Sequence, residues 1–314
     1  MPLRRTTSIA VADPGTPRDF DAGYGDGVAR GVSLGSGGLF FLAWQAAYLQ
    51  TLASRGIRFD RADRVIGTSA GSIVASALTG GRLKRLSSQV SVLSKVPALV
   101  AAMAPASKLT ASQNRALELF IAATDAEPET VRTIGHAALA AVTPRPEVTR
   151  RNFALVVGTG PWPSDALRIS CVDAYTGERC VITRATRTST ARAAAASSAV
   201  PGIFAPQPIA DRRCMDGGVS GTGVHLDLLA GASRVLVLSL TDGAEMTDPM
   251  MTLHPGEGKK ELDDLRASGT EVVLRVPEKV DLFTLMEPAS VPGALVMGAR
   301  QANEDASLLS TFWA

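Results

Sequence analysis

A serine between two glycines, placed after an apolar strand and before a helix, is the feature that most constrains the fold of this chain. Residues Arg64 to Ile66 read as a buried strand, and Ser69 follows within the segment Gly67 to Gly71. Glycines allow two chain segments to pass close to a strained turn. Such strain holds the serine hydroxyl out of the fold, where a substrate carbonyl can reach it. The pattern therefore predicts an α/β protein with Ser69 on a nucleophile elbow.

A second glycine-rich segment, Gly35 to Gly38, lies at an earlier strand-to-helix junction. It lacks the Lys-Ser/Thr ending of a P-loop, and Phe40 stands where a G-x-G-x-x-G motif needs its third glycine. Backbone amides exposed at such a junction can stabilise a negatively charged oxygen. We therefore interpret the segment as an oxyanion hole rather than a nucleotide site.

A carboxylate late in the chain is a candidate partner for the serine. Asp216 ends the short apolar piece Cys214-Met215 and opens a glycine-rich loop. A carboxylate there would stand at the end of a strand, on a loop that can approach another backbone closely.

Histidines offer a different proton acceptor. The chain has three, His136, His225 and His254. In the Ser, Asp, His order of α/β-hydrolases, only His254 is in a plausible position. We read His136 as an ordinary helix residue. His225 lies close in sequence to Asp216, and we favour a structural role for it.

The three motifs in this order resemble those of the patatin-like phospholipases, which have a glycine-rich loop, then G-x-S-x-G, then a late Asp-Gly. Residues 196–204 and 172–179 are also similar to that family's A-S-x-A-x-P-x-x-F and D-x-x-T-G-E segments. The resemblance covers about residues 31–240. It implies a three-layer α/β/α fold with a mostly parallel central sheet and a helical insertion.

The same resemblance implies a serine acyl-ester hydrolase with a Ser-Asp dyad. Ser69 would be the nucleophile, and Asp216 would accept its proton directly. An ordinary carboxylate is a weak base, so burial should raise the pKa of Asp216. The amides of Gly37 and Gly38 would hold the oxyanion, and no metal or cofactor is implied. The motif glycines are Gly35, Gly67, Gly71 and Gly217.

Two aromatic residues depart from the family pattern. The family usually has a further glycine at the position of Phe41, and often Arg or Lys at the position of Phe40. A large side chain cannot adopt glycine-only backbone angles cheaply. Either the loop takes a different path, or Phe40 and Phe41 line an apolar acyl site; the second alternative is our hypothesis.

Composition excludes several other classes. The apolar fraction of 46% and charged fraction of 20% are globular values, and a net charge of +2 gives no case for nucleic acid. Cys171, Cys180 and Cys214 have no metal-binding spacing, and we predict that they are reduced core residues. No apolar run is long enough for a transmembrane helix, and no secretion signal is recognisable. We expect a cytoplasmic protein with peripheral membrane contact.

The predicted organisation is simple. Residues 1–27 are rich in glycine, proline and aspartate and are predicted to form a mobile or loosely packed arm. Residues 28–314 would form one acyl hydrolase domain, with the helical insertion at about 83–142. The pattern leaves the oligomeric state open.

Three functions remain at this point. The first is lipid acyl hydrolysis, of a phospholipase A or lysophospholipase kind, by the dyad. The second is an esterase with a His254 triad. The third is a catalytically silent lipid-binding protein of the same fold. The sequence does not specify which lipid or other acyl ester would be the substrate.

Overall fold

The computed structural model describes residues 11–93, 108–242, 256–281 and 284–314. His254, residues 1–10 of the predicted arm and residues 94–107 of the predicted insertion lie outside these ranges. The division into an arm and one catalytic domain stays a prediction.

Strands and helices alternate at the start and at the end of the described chain, and a run of consecutive helices lies between them. The strands are β1 (Arg30–Leu34), β2 (Arg64–Thr68), β3 (Leu167–Asp173), β4 (Arg179–Ile182), β5 (Gln207–Ile209), β6 (Arg212–Asp216), β7 (Arg234–Leu238) and β8 (Glu271–Arg275). The helices are α1 (Gly38–Ser54), α2 (Ala70–Thr79), α3 (Leu83–Leu93), α4 (Ala111–Ile121), α5 (Pro128–Ala140), α6 (Pro146–Val157), α7 (Thr190–Ser197), α8 (Glu257–Ala267) and α9 (Val291–Trp313).

One mostly parallel sheet forms the centre of the fold. Its order is β5-β6-β3-β2-β1-β7-β8, with β4 on the other edge of β3. The run from β3 to β8 is parallel, whereas β4, β5 and β6 add antiparallel pairs. Long parallel connections require helices that cover the sheet, which explains the alternation seen in the sequence.

Alternating side chains of the central strands divide the core into two. On β7, Leu236 and Leu238 pack into a cluster with helices α1, α2 and α9. Val235 and Val237, which point to the opposite face, pack with apolar residues of α8 and of the segment after β6. Because successive strand residues face opposite sides, one apolar strand supplies both cores. The three-layer α/β/α fold is confirmed.

The helical section is longer than the sequence pattern predicted. Helices α3 to α6 continue as far as Val157, beyond the expected end at about residue 142. Pro146 occupies the first turn of α6. Proline is tolerated at that position because the amide it lacks has no partner inside the helix. No helix in the described ranges is both long and apolar enough to cross a bilayer.

Residues 11–27 are not the loose arm that their composition suggested. Thr16 N donates to Arg179 O at 2.9 Å, and Val181 N donates to Pro14 O at 2.7 Å. The segment thus pairs with the outer edge of β4. Phe20 and Tyr24 pack against the second core. Tertiary pairing has overridden the glycine and proline content of this segment.

A buried ion pair fixes the segment in place. Arg179 Nη2 lies 2.6 Å from Asp227 Oδ2, and both side chains are almost fully buried. The same guanidinium donates to the backbone oxygens of Thr16 and Pro17 at 3.0 Å and 2.7 Å. One side chain therefore joins the N-terminal segment, strand β4 and the segment after β6.

Removing Arg179 should be strongly destabilising. Arg179→Ala leaves Asp227 buried without its counter-charge, and we expect a loss of about 3–5 kcal/mol in the free energy of unfolding, measured by urea denaturation. Lys260→Ala, which removes an exposed helix pair, is the control and should change stability little. Equal, small effects from both variants would contradict this account.

Candidate active site

Ser69 has a strained backbone at the junction of β2 and α2. Its φ is 50° and its ψ is −119°, a combination that residues with a side chain rarely adopt. A Cβ atom added at Gly71 would lie 2.0 Å from Leu34 O, so only glycine fits beneath the turn. The predicted elbow is therefore present, and its two flanking glycines have a packing reason.

Hydrogen bonds on both sides of Ser69 hold the elbow. Ser69 N donates to Ser197 Oγ at 2.8 Å, which ties the turn to the end of α7. On the other side, Ser72 Oγ donates to Ser69 O at 2.6 Å. The backbone of Ser69 is thus fixed by its neighbours, while its hydroxyl faces a cavity.

Strand β3 brings Asp216 to this elbow. Strand β4 occupies one edge of β3 from Ile169 to Val172, so β2 and β6 must share the other edge. Along that edge β2 runs parallel to β3 and ends with Thr68 opposite Ser170. Strand β6 runs the opposite way and ends with Asp216 opposite Cys171. The carboxyl ends of β2 and β6 therefore meet at adjacent positions of one strand.

The Asp216 carboxyl is deeply buried, with 3% of the residue exposed. Its Oδ1 accepts a hydrogen bond from Gly218 N at 2.8 Å. Its Oδ2 has no formed hydrogen bond within the described ranges. Burial raises the pKa of Asp216 to about 7, although the hydrogen bond from the Gly218 amide and the nearby Ser69 hydroxyl oppose the rise. The expected rise in proton affinity is present.

The glycine-rich loop also lines this cavity. Gly37 has φ 153° and Gly38 has φ 63°, and a Cβ on Gly38 would lie 2.7 Å from Leu285 O. Helix α1 begins at Gly38, and its first turn has no acidic side chain. Amides in the first turn have no acceptor inside the helix. The positive end of the α1 dipole lies at this turn and also favours a negatively charged oxygen.

The cavity that joins these groups is mainly apolar. Ser69, Asp216, Gly37 and Gly38 all contribute to its lining. Apolar side chains from α1, α4, α6 and more distant segments form much of the remaining wall, and they include Leu39, Leu42, Phe120, Phe153, Phe204 and Leu285. The cavity thus combines the polar groups of the candidate site with a largely apolar wall.

Phe40 and Phe41 do not line this cavity, so the structure does not support the acyl-site role expected for them. Residues Leu39 and Leu42, three positions apart on α1, face it instead. Phe41 is fully buried and stacks on Trp44 with ring centroids 5.4 Å apart. The helix begins before these aromatic residues, and helical rotation turns them into the core.

None of the described histidines lies in the cavity lining. His136 is exposed on α5. His225 is fully buried, and its Nε2 shares a hydrogen bond of 2.8 Å with Ser170 Oγ. Burial lowers the pKa of His225 well below its ordinary value, so the ring is neutral. The structural interpretation of His225 agrees with these contacts.

Cysteine sulfurs form the one group of three potential metal ligands found together in the described ranges. Cys171, Cys180 and Cys214 are free and buried, and their Sγ atoms lie within 4.8 Å of one another. Cys171 and Cys180 face each other across the β3–β4 hairpin. They pack in the apolar core, and none of them contributes to the cavity lining.

Several wall residues had no signal in the sequence. Leu285 and Met286 approach the glycine loop from far along the chain, and Phe40 N donates to Leu285 O at 3.0 Å. Ser198 belonged to a recognisable segment, but its place in the cavity wall was not predictable. Only the folded sheet shows which distant segments meet here.

A comparison with protein families agrees with these motifs. The model of a family described as patatin-like phospholipase matches residues 32–229, more than half of the chain. The crystal structure of the type III effector protein ExoU is also similar, with 15% sequence identity and a TM-score of 0.32. That match covers 89% of this chain and 53% of the effector, so the chain spans about half of the effector's length. No curated protein gives a significant match.

Removing the Asp216 charge should stabilise the folded chain at neutral and alkaline pH. The pKa is about 7 in the folded chain and ordinarily 3.8, so the folded state holds the proton more tightly. Stability therefore falls as pH rises from about 4 to about 7. Asp216→Asn should gain on the order of 4 kcal/mol at pH 8 and nothing at pH 3, measured by urea unfolding.

Asp263→Asn is the control for this comparison. A hydrogen bond from Lys259 lowers the pKa of Asp263, so its removal should weaken rather than strengthen the fold at pH 8. An Asp216→Asn protein no more stable than wild type at pH 8 would show that burial does not disfavour the charged form of Asp216.

Proposed function

Because the chain belongs to the patatin-like phospholipase family, we propose that it hydrolyses lipid acyl esters with Ser69 as nucleophile and Asp216 as general base. Family membership supports acyl-ester hydrolysis in general. The dyad is our finer proposal. The observation that carries it is the buried Asp216 carboxyl, with its raised pKa, beside the strained Ser69 in one cavity.

The proposed reaction begins with proton transfer from the Ser69 hydroxyl to Asp216. Ser69 Oγ bonds to the ester carbonyl carbon, and the carbonyl electrons move onto its oxygen. When the tetrahedral intermediate collapses, the alcohol leaves with the proton that Asp216 held. Water then attacks the acyl-enzyme with Asp216 again as base, which releases the fatty acid and restores the serine.

The proposed oxyanion site is the start of helix α1. The amides of Gly37 and Gly38 would donate to the developing negative oxygen, and the helix dipole would add to their effect. A preorganised donor of this kind contributes roughly 3–4 kcal/mol to transition-state stabilisation. The positive φ values of the two glycines, which residues with a side chain rarely adopt, are consistent with amides that are fixed before substrate binds.

The apolar wall would receive the acyl chain. Aromatic and aliphatic side chains from α1, α4 and α6 would remove a hydrocarbon from water. Peripheral membrane contact and a cytoplasmic location are further parts of this proposal.

A silent lipid-binding protein was the main alternative from another class. Phe41 in the glycine loop was the feature that favoured it. With Phe41 packed against Trp44, away from the cavity, that argument no longer applies. No specific observation in the described ranges favours binding without chemistry.

Loss of the nucleophile is the first test. Ser69→Ala should lower kcat/KM for short p-nitrophenyl esters by at least about 10³-fold, because no other group replaces the attacking oxygen. His254→Ala separates the dyad from a triad, since the dyad predicts that this variant retains activity. Full activity in Ser69→Ala, or its loss in His254→Ala, would refute the proposed assignment.

The pH profile tests the base. Only ionised Asp216 can accept the proton, so kcat/KM should rise with pH and level off above about 7. Asp216→Asn should lose this limb together with most of the activity. Stopped assays across pH 4 to 9, with folding checked at each pH by circular dichroism, would measure both. A wild-type profile that is flat through pH 7 would contradict the role of Asp216.

A further inference from the structure

One hydroxyl in the cavity has no role in the proposed reaction. Ser198 lines the cavity, only 7% of the residue is exposed, and its Oγ has no hydrogen-bond partner within the described ranges. Its backbone is satisfied, because Ser198 N donates to Ala194 O at 3.0 Å and Val200 N donates to Ser198 O at 2.9 Å. The side chain alone is left without a partner.

An unpaired hydroxyl is an unusual component of an apolar wall. Buried polar side chains nearly always have a hydrogen-bond partner, and the exceptions often mark functional sites. Val200 and Phe204, which follow Ser198 in the chain, line the same cavity and are apolar. A bound ligand that carries an oxygen would supply the partner that the protein does not.

The position of Ser198 indicates which part of an ester this would be. Its neighbour Ser197 accepts the hydrogen bond from Ser69 N, so Ser198 is one residue away from a direct contact with the proposed nucleophile. A polar group needed there lies near the scissile bond. A fatty acyl chain carries no oxygen beyond its carboxyl group, whereas the alcohol of a polyol ester has one on the next carbon.

We propose, on the basis of the proposed function, that Ser198 is a specificity-determining residue that hydrogen-bonds an oxygen on the alcohol side of the ester. The favoured substrates are esters of polyols with a free hydroxyl on the carbon next to the esterified carbon. A serine hydroxyl both donates and accepts, which suits such a hydroxyl. Esters of simple alcohols lack this group and leave Ser198 unpaired.

Two esters of the same shape test the proposal. In 2-hydroxyethyl butyrate a terminal hydroxyl replaces the terminal methyl group of propyl butyrate. A neutral hydrogen bond typically corresponds to about a fivefold effect. We expect Ser198→Ala to lower the ratio of kcat/KM values, hydroxyethyl over propyl, by about fivefold relative to wild type. Comparing ratios between variants cancels the different intrinsic reactivities of the two esters.

Thr190→Val is the matched control. Thr190 begins the helix that ends just before Ser198, is only 2% exposed and also has a buried hydroxyl without a partner in the described ranges, but it does not line the cavity. The control should keep the wild-type ratio. Ser198→Cys, which keeps the shape with a weaker donor, provides a second variant if Ser198→Ala does not fold. Its ratio should also fall.

Each outcome decides a different question. If wild type hydrolyses both esters and neither Ser198 variant changes their ratio, the inference fails while the proposed function stands. If wild type hydrolyses neither, the proposed function fails and the inference fails with it. If Ser198 instead controls a preference for ethyl 3-hydroxybutyrate over ethyl butyrate, the contact is on the acyl side, and the alcohol-side proposal is overturned.

Discussion

The site depends on the shared edge of strand β3. Strands β2 and β6 approach along this edge from opposite directions and end at neighbouring positions, Ser170 and Cys171. That meeting brings Ser69 and Asp216 to one cavity although they are far apart in the chain. In a parallel sheet the carboxyl ends of the strands lie at one end of the sheet. The antiparallel strand β6 comes from the other end, and its own carboxyl end places Asp216 beside the end of β2.

Burial at that meeting point has two consequences. It disfavours the charged form of Asp216, which lowers stability at neutral pH, and it gives the carboxyl the proton affinity of a useful base. The elbow at Ser69 also costs stability, because its backbone is strained. Hydrogen bonds from Ser72 and to Ser197 hold the Ser69 backbone in this conformation. Stability is thus lost at the residues where chemistry is proposed, and the three apolar clusters of the core compensate.

Local sequence patterns predicted the local parts of the site. Glycines at fixed spacing around Ser69 identified the elbow, because only glycine fits under so tight a turn. The direction of side chains was harder to predict from the sequence. Phe41 was expected at the acyl site, but the start of α1 at Gly38 rotates it into the core. Contacts between distant segments, such as Leu285 against the glycine loop, leave no local pattern to read.

Burial beside Ser69 holds the Asp216 carboxyl near the pKa of a general base. An NMR pH titration of that carboxyl, assigned by comparison with Asp216→Asn, measures this pKa. We expect a midpoint of about 7 in wild type, and a higher one in Ser69→Ala, because the Ser69 hydroxyl lowers the pKa. A midpoint near the ordinary value of 3.8, unchanged by loss of the Ser69 hydroxyl, would contradict this expectation.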